Sequence, residues 1–371
     1  MKIGIDARFF GLRNKGLGRY TQKLIEALEE IDRENQYVVF LRQENWDLYQ
    51  PKFPNFKKTM ADYPWYSLAE QILFPFKLYW ARVDLMHFPH FNVPIFYFGR
   101  FVVTIHDLIL RQFPTRRAST LSLIKYWVKN LSYRFVIYFA IKKAKKIIAV
   151  SNHTKEDILR FYKVKQGKID VIYEGSPAVI ANPSKVSRDK FQKPYLLYVG
   201  NAYPHKNLER LIEAFQILAD RADELRLIFV GEIDYFYHRL KDFAADKFPT
   251  IKHKIIFADF VEDKNLMPFF QNASLYVFPS LCEGFGLPPL EAMACGVPVV
   301  SSGASCLPEI LGEAAVYFDA LDPQDIAQKI RQVLEDESLR QKLVLAGYEQ
   351  IKKYSWEKMG KEISGIYEDL K

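Results

Sequence analysis

Short apolar runs alternate with stretches of helical spacing along the whole 371-residue chain, and the alternation breaks once. Lys2 to Asp6 is the first strand-length run. Tyr37 to Leu41, Val83 to Phe88, Phe101 to Ile105, Ile147 to Val150 and Ile169 to Tyr173 follow it. Between the first two, Tyr20, Leu24, Ile25, Leu28 and Ile31 fall on one helical stripe. Strands that alternate with helices return in the same direction through right-handed crossovers, so each series builds a parallel sheet. From Ala181 to Pro194 the chain holds two prolines and polar residues without apolar periodicity, which reads as a linker. The alternation then restarts with Tyr195 to Val199, a helix from Asn207, Leu225 to Val230, Lys254 to Phe257, Ala273 to Phe278 and Val297 to Ser301. An amphipathic helix closes the chain from Trp356 to Leu370. The expectation is an α/β protein with two similar sheets enclosing a deep cleft, its ligands bound at the strand C-terminal ends.

Composition agrees. Apolar residues are 49% and charged residues 26%, the balance of a folded chain, and the length suits two domains with separate cores. Three cysteines form no disulfide framework and suit a reducing cytosol. Asp6 and Arg8 stand where an export signal needs apolar residues, which argues against export. No apolar run is long enough to span a membrane; the nearest approach, Leu131 to Ile141, is broken by Ser132 and Arg134. The net charge of +8 leaves nucleic acid, an anionic membrane surface or a phosphorylated ligand as partners. That charge is uneven. Residues 1–180 hold 29 Lys/Arg against 16 Asp/Glu, whereas residues 181–371 hold 23 against 28. Between Asp107 and Glu156 there are eleven basic residues and no acid.

The strongest motif is Glu283-Gly-Phe-Gly-Leu-Pro-Pro-Leu-Glu291, followed by Ala-Met-Ala-Cys-Gly-Val-Pro-Val-Val. It begins just after a strand that ends at Phe278-Pro279-Ser280. Pro288 and Pro289 suit the first turn of a helix, where a missing N–H costs nothing. Loop amides and a helix N-terminus together present positive potential, as a phosphate site requires.

With these residues the chain resembles the retaining glycosyltransferases of family four, whose E-x7-E motif matches Glu283 and Glu291. The flanking pattern from Phe278 through Val300 also matches, and the resemblance covers essentially the whole chain. It implies the GT-B fold: a Rossmann-like acceptor-binding domain over 1–180, a linker at 181–194 and a Rossmann-like nucleotide-sugar-binding domain over 195–354. Residues 355–371 are expected to form a helix that packs back on the N-terminal domain. It further implies that Glu283 contacts hydroxyls of the donor sugar and Glu291 those of the ribose. The amides around Gly284, Phe285, Gly286 and Leu287 would face the donor.

Five further segments carry candidate chemistry. Gly200-Asn201-Ala-Tyr-Pro-His205-Lys206-Asn207 follows a strand directly, with Asn207 suited to cap the next helix. Lys206 is placed to neutralise a diphosphate leaving group. Relatives carry a basic residue there; many also have an arginine where this chain has Asn201, so the site has one cation fewer or His205 contributes. Thr104-Ile105-His106-Asp107 ends a strand, and the resemblance assigns His106 to the donor sugar and the transition state, not to general-base work. Lys15-Gly16-Leu17-Gly18-Arg19-Tyr20 is read as a glycine loop ahead of the first helix. It lacks the third glycine of a dinucleotide fingerprint. By resemblance Gly16 lets this loop approach the donor, and Arg19 is an acceptor-side cation. Ser151 is either a helix cap or a family contact with Thr154 or Lys155, and Pro308-Glu309, after Ser305-Cys306-Leu307, resembles a family element that is structural with some nucleotide contact.

Metal chemistry finds no support. His87 and His90 flank Pro89, and Cys282, Cys295 and Cys306 lack zinc spacing. The expected catalytic residues are His106, Lys206 and Glu283. The expected donor contacts are Gly16, Asn201, Lys206, Glu283, Gly284, Phe285, Gly286, Leu287 and Glu291, with no metal and no cofactor beyond a GDP- or UDP-linked sugar. Residues 61–100 hold twelve aromatics, and Arg111 to Lys146 is basic around Tyr126, Trp127 and Phe139. That mixture suits an anionic leaflet or lipid-linked acceptor first, then an aromatic core with solvated lysines; nucleic acid is disfavoured for want of a binding module. The expected protein is a cytoplasmic hexosyltransferase, peripheral on the inner face of the cell membrane. It would move mannose from GDP-mannose to a lipid-linked or polysaccharide acceptor. A nucleotide-sugar 2-epimerase of the same fold, or a non-catalytic basic membrane-binding protein, are the alternatives.

Overall fold

The computed structural model describes residues 1–11, 15–113, 122–177, 194–220, 222, 224–261 and 263–371, with the backbone alone at 15, 123, 124, 263 and 264. The expected linker 181–194 lies outside the described residues apart from Pro194, and so do Arg116 and Arg117. The chain divides into two compact units, Met1–Gly175 with Tyr354–Lys371, and Ser176–Lys353. In chain order the first unit holds β1 (Lys2–Asp6), α1 (Lys15–Ile31), β2 (Gln36–Leu41), β3 (Phe56–Met60) and α2 (Leu68–Ala81). It continues through β4 (Leu85–Phe88), β5 (Phe101–Ile105), α3 (Ile109–Gln112), α4 (Leu123–Lys143), β6 (Lys146–Ala149), α5 (Asn152–Phe161) and β7 (Ile169–Val171). The second unit holds β8 (Tyr195–Val199), α6 (Leu208–Ala219), β9 (Arg226–Val230), α7 (Tyr235–Lys247), β10 (Ile255–Ala258) and α8 (Asp263–Asn272). Next come β11 (Leu275–Phe278), α9 (Leu287–Ala294), β12 (Val299–Ser302), α10 (Leu307–Leu311), β13 (Ala315–Phe318), α11 (Pro323–Glu335) and α12 (Glu337–Ile351). The chain then returns to the first unit as α13 (Trp356–Asp369).

Both sheets are parallel. The first runs β3-β2-β1-β4-β5-β6-β7 and the second β10-β9-β8-β11-β12-β13. In each, the chain moves outward from a central strand and then restarts on its other side. The strand order therefore reverses between β1 and β4 and again between β8 and β11, the points where open α/β sheets bind ligands.

The first unit shows why its strands read as near-continuous apolar runs: both faces are covered. Phe40, Met86, Phe88, Val103 and Ile147 point to a layer of α2 and α4, packing on Phe74, Leu78, Ile137 and Ile141. Their neighbours Val39, Leu85, Val102 and Ile148 point the other way, onto Leu24 and Leu28 of α1 and Met359, Ile363 and Tyr367 of α13. α13 starts at a Ser355 cap that accepts from the Lys358 amide. It crosses α1 closely because Gly360 has no side chain; a Cβ there would stand 2.7 Å from that of Ala27.

Two expectations change. Gly16 and Gly18 lie within the first turn of α1, not in a loop ahead of it. The first helical amides need no partner four residues back, so glycine is tolerated there better than deeper in a helix. Asn207 precedes α6 but makes no side-chain cap; it adopts a left-handed conformation (φ 61°). Its amide instead donates to the carbonyls of Pro279 (3.1 Å) and Ala320 (2.6 Å), and its oxygen accepts from Arg210. Tertiary bonds have taken the side chain away from the helix end.

Candidate active site

In the second unit the β8 and β11 loops meet at the reversal of strand order. β8 ends at Val199, and a short turn over Pro204–Lys206 leads to α6. β11 ends at Phe278, and the following loop carries Glu283. Lys206 Nζ donates to Glu283 Oε1 at 2.6 Å, with 13% and 11% of the two side chains exposed. The Lys206 ammonium also stands 5.5 Å from the Phe278 ring centroid. The two loops are tied by backbone as well, since the Leu281 amide donates to the His205 carbonyl at 2.8 Å.

The Glu283 loop is held from its far side. Its amide donates to Ser305 Oγ at 3.0 Å, and Cys306 Sγ donates to the Phe285 carbonyl at 3.3 Å. Gly286 enters α9 at φ 100°, a conformation that a side chain resists, and no side chain caps the helix. Pro288 stands at the second helical position, where its missing N–H is harmless. Glu291 lies one turn into α9 and is partly exposed; its charge helps push the Cys295 thiol up to about 11, after burial. The arrangement offers an ammonium paired with a carboxylate beside an uncapped helix N-terminus, chemistry suited to an anionic ligand that also bears hydroxyls.

His205 contributes no charge here. Burial, then the neighbouring Lys206, push its pKa down to about 4, so it is neutral near pH 7. Asn201 shapes its own turn, taking the Tyr203 amide on Oδ1 (3.3 Å) and the Tyr198 hydroxyl on its carbonyl (2.8 Å).

In the first unit His106 follows β5 directly. Its Nδ1 lies 2.9 Å from Glu174 Oε1 and its Nε2 2.9 Å from the Pro89 carbonyl oxygen. A carbonyl and a carboxylate can only accept, so the two ring nitrogens are both placed to donate, an arrangement that favours the protonated ring. Burial opposes that charge, but the Glu174 carboxylate outweighs it and raises the pKa above the ordinary value. Tyr20 of α1 meets the ring edge-on at 4.6 Å, and Thr154 Oγ1 donates to the His106 carbonyl at 3.1 Å. Ser151 is the cap of α5, accepting from the Thr154 amide at 3.1 Å. His87 and His90 are both pushed down to about 3 by burial, then by His106. His87 bridges Thr104 Oγ1 (2.9 Å) and the Tyr367 hydroxyl, fastening β4 and β5 to α13.

Gly16 is exposed, and a Cβ there would meet nothing within 4 Å. Nothing in the fold calls for glycine at that position. Sequence reasoning missed Glu174 and Ser305, which orient His106 and Glu283; neither carries a spacing signal. It also missed a buried network at the end of β1. There Arg8 forks onto Asp6 (2.8 Å to each oxygen) and reaches Glu70 (2.6 Å), while Asn92 donates to Glu70 at 2.7 Å. Among the described residues no group of three or more His, Cys, Asp or Glu side chains is gathered as a metal site.

Comparison with known proteins bears on the family and the fold. Residues 182–350 match the glycosyl transferases group 1, and residues 14–176 match Glycosyltransferase Family 4. The chain is 28% identical to the O-antigen chain mannosyltransferase B of Escherichia coli, over 96% of each chain. It is also 28% identical to the O-antigen chain mannosyltransferase RfbU of Salmonella typhimurium, over 72% of this chain and 69% of that one. Among solved structures, sucrose-phosphate synthase from Thermosynechococcus elongatus superposes with a TM-score of 0.79 at 20% identity, covering 100% of this chain and 99% of that one. At that identity the likeness shows the fold. The chain is a GT-B glycosyltransferase that moves a sugar from a nucleotide-sugar donor to an acceptor, related to the group 1 and family 4 glycosyl transferases and to bacterial mannosyltransferases.

Proposed function

We propose that this protein is a retaining, metal-independent hexosyltransferase that moves mannose from GDP-mannose onto a lipid-linked or polysaccharide acceptor during cell-surface glycan synthesis. The observation that carries the site is the Lys206–Glu283 pair at the β8/β11 reversal, beside the N-terminus of α9. The mannose preference rests on the relatives, whose names specify O-antigen mannosyltransferases. In this reading the second unit takes the nucleotide sugar and the first takes the acceptor. Lys206 and the α9 amides stabilise the departing diphosphate, Glu283 and His106 hold the sugar, and Glu291 binds the ribose. Gly16, Asn201 and the amides from Gly284 to Leu287 complete the donor contacts. The bond between the sugar and the diphosphate breaks as the acceptor oxygen adds on the same face. The acceptor proton passes to a departing phosphate oxygen, so no protein base is needed. Both ring nitrogens of His106 face protein acceptors, Glu174 and the Pro89 carbonyl, so in this reading one of those bonds opens when His106 meets the sugar.

A panel of nucleotide sugars, each offered with and without an acceptor glycan, tests the reading. Transfer from GDP-mannose with retained anomeric configuration, seen by NMR of the product, is expected. Glu283→Gln and Lys206→Met should each abolish it. Transfer that survives both substitutions overturns the site. Inverted product overturns the mechanism, and epimerised donor without transfer favours the epimerase.

A further inference from the structure

A helix at a protein surface normally carries one apolar stripe, facing the core. Two neighbouring helices of the first unit carry two. On α2, Phe74 and Leu78 pack on the sheet, while Leu68, Ile72, Phe76 and Trp80 form a second stripe on the opposite side. All four are exposed, Trp80 by 89%. On α4, Tyr133, Ile137, Ala140 and Ile141 are buried, while Trp127, Leu131, Phe135 and Tyr138 are exposed, Leu131 by 70%.

The two outer stripes belong to one surface. Both helices cover the same face of the sheet, so their solvent sides point the same way. The segment between them closes the gap. The Tyr79 hydroxyl of α2 donates to the Phe96 carbonyl (3.4 Å) and accepts from the Phe98 amide (2.8 Å). The exposed Phe98 ring then meets Phe139 of α4 edge-on at 6.4 Å. Exposed apolar side chains that continue from one helix to the next in this way mark an interaction site.

Charge selects the partner. Glu70 is the only acid in α2, in the 93–100 segment or in α4, and it is fully buried against Arg8. Exposed Lys125, Lys129, Arg134 and Lys143 stand on α4, and Arg82 follows α2. Trp, Tyr, Lys and Arg around aliphatic and Phe side chains are the residues that settle at the headgroup level of an anionic leaflet. Among the described residues no helix is long and apolar enough to cross a membrane. We propose that the outer face of α2, the 93–100 segment and α4 docks the protein onto an anionic phospholipid bilayer. The inference deepens the reading above, on which a lipid-linked acceptor brings the enzyme to a membrane.

Flotation of the full chain with vesicles of phosphatidylcholine alone, or mixed with phosphatidylglycerol, tests it at low and high salt. Binding to the mixed vesicles that weakens with salt is expected, with a blue shift of tryptophan emission as Trp80 and Trp127 leave water. Phe76→Ser with Trp80→Ser, and separately Leu131→Ser with Phe135→Ser, should each lower the partition coefficient about tenfold or more. Both pairs lie on the exposed stripes, so the thermal midpoint should hold. Absence of binding to every vesicle at low salt overturns the proposal. So does binding that ignores both variants, or self-association that the substitutions abolish in a protein indifferent to lipid. A water-soluble acceptor separates the two readings. Vesicle binding without any sugar transfer keeps the surface and removes the enzymatic reading; transfer to the soluble acceptor without vesicle binding does the reverse.

Discussion

Removing the Lys206 ammonium leaves the Glu283 carboxylate about nine-tenths buried and without the cation it pairs with among the described residues. Breaking a fully buried pair from one side costs about 3–5 kcal/mol, and the residual exposure here places Lys206→Met near the lower end, about 3 kcal/mol. Glu283→Gln keeps an acceptor oxygen opposite the ammonium and should cost less, about 1.5 kcal/mol. Lys206→Met with Glu283→Gln removes both charges at once. It should therefore be more stable than Lys206→Met alone, with a coupling energy of about 2 kcal/mol. For a unit of this size, 3 kcal/mol corresponds to a fall of about 6–12 °C in midpoint. The assay can be made specific to the second unit. All five tryptophans, Trp46, Trp65, Trp80, Trp127 and Trp356, lie in the first unit, so their fluorescence follows only its unfolding. Far-UV circular dichroism follows both. The substitutions should move the dichroism transition of the second unit and leave the fluorescence transition in place. A double variant whose loss equals the sum of the single losses, within about 0.5 kcal/mol, would falsify the coupling and with it the pairing seen in the structure.

Three further outcomes follow from the first unit. His106 has a raised pKa, so Glu174 contributes stability in full below the ordinary histidine value, about 6.5, and loses it as pH rises through the folded value. The stability gap between wild type and Glu174→Gln should narrow along that rise, and the His106 NMR titration should move down in the variant, with Asp107, His87 and His90 unchanged. A gap that is flat with pH contradicts the imidazolium. Arg8→Met strands Asp6 and Glu70 inside the protein and should cost about 3–5 kcal/mol by urea unfolding followed through tryptophan fluorescence; a loss under about 1 kcal/mol refutes the network's role. Gly16→Ala should raise stability by up to about 1 kcal/mol, since the helix disfavours glycine and the space is open. The same change should lower turnover; unchanged kcat and KM remove Gly16 from the donor site.

Central strands announced themselves because both their faces are buried, which leaves only apolar side chains in the run. β3 and β13 did not; both are edge strands, although β7 and β10, at the opposite edges, were legible. β3 reads Phe-Lys-Lys-Thr-Met and buries only its first residue fully, so its composition resembles a loop. Lys206 and Glu283 were legible because each follows a strand end within a few residues, where position along the chain fixes position in space. Their pairing was not legible, since it depends on the reversal that sets β8 beside β11. Glu174 lies 68 residues from His106, and no periodicity links one carboxylate to one imidazole over that distance.

The aromatic stretch in the first half posed a different difficulty. A helix that is apolar all round reads from its sequence as buried, and the same letters describe a helix whose second stripe faces outward. Hydrophobic pattern alone therefore could not separate an aromatic core from an aromatic surface. Burial separates them residue by residue: Phe74 is inside and Phe76, two positions on, is exposed. The excess of basic residues acquires its meaning only after that division. Lysines over a buried aromatic core would be ordinary solvated charges. Lysines beside exposed Trp127, Leu131 and Phe135 form a face on which hydrocarbon burial and phosphate attraction act in the same direction. Removing either contribution alone should therefore weaken the attachment without abolishing it, whereas removing both should leave the protein in solution.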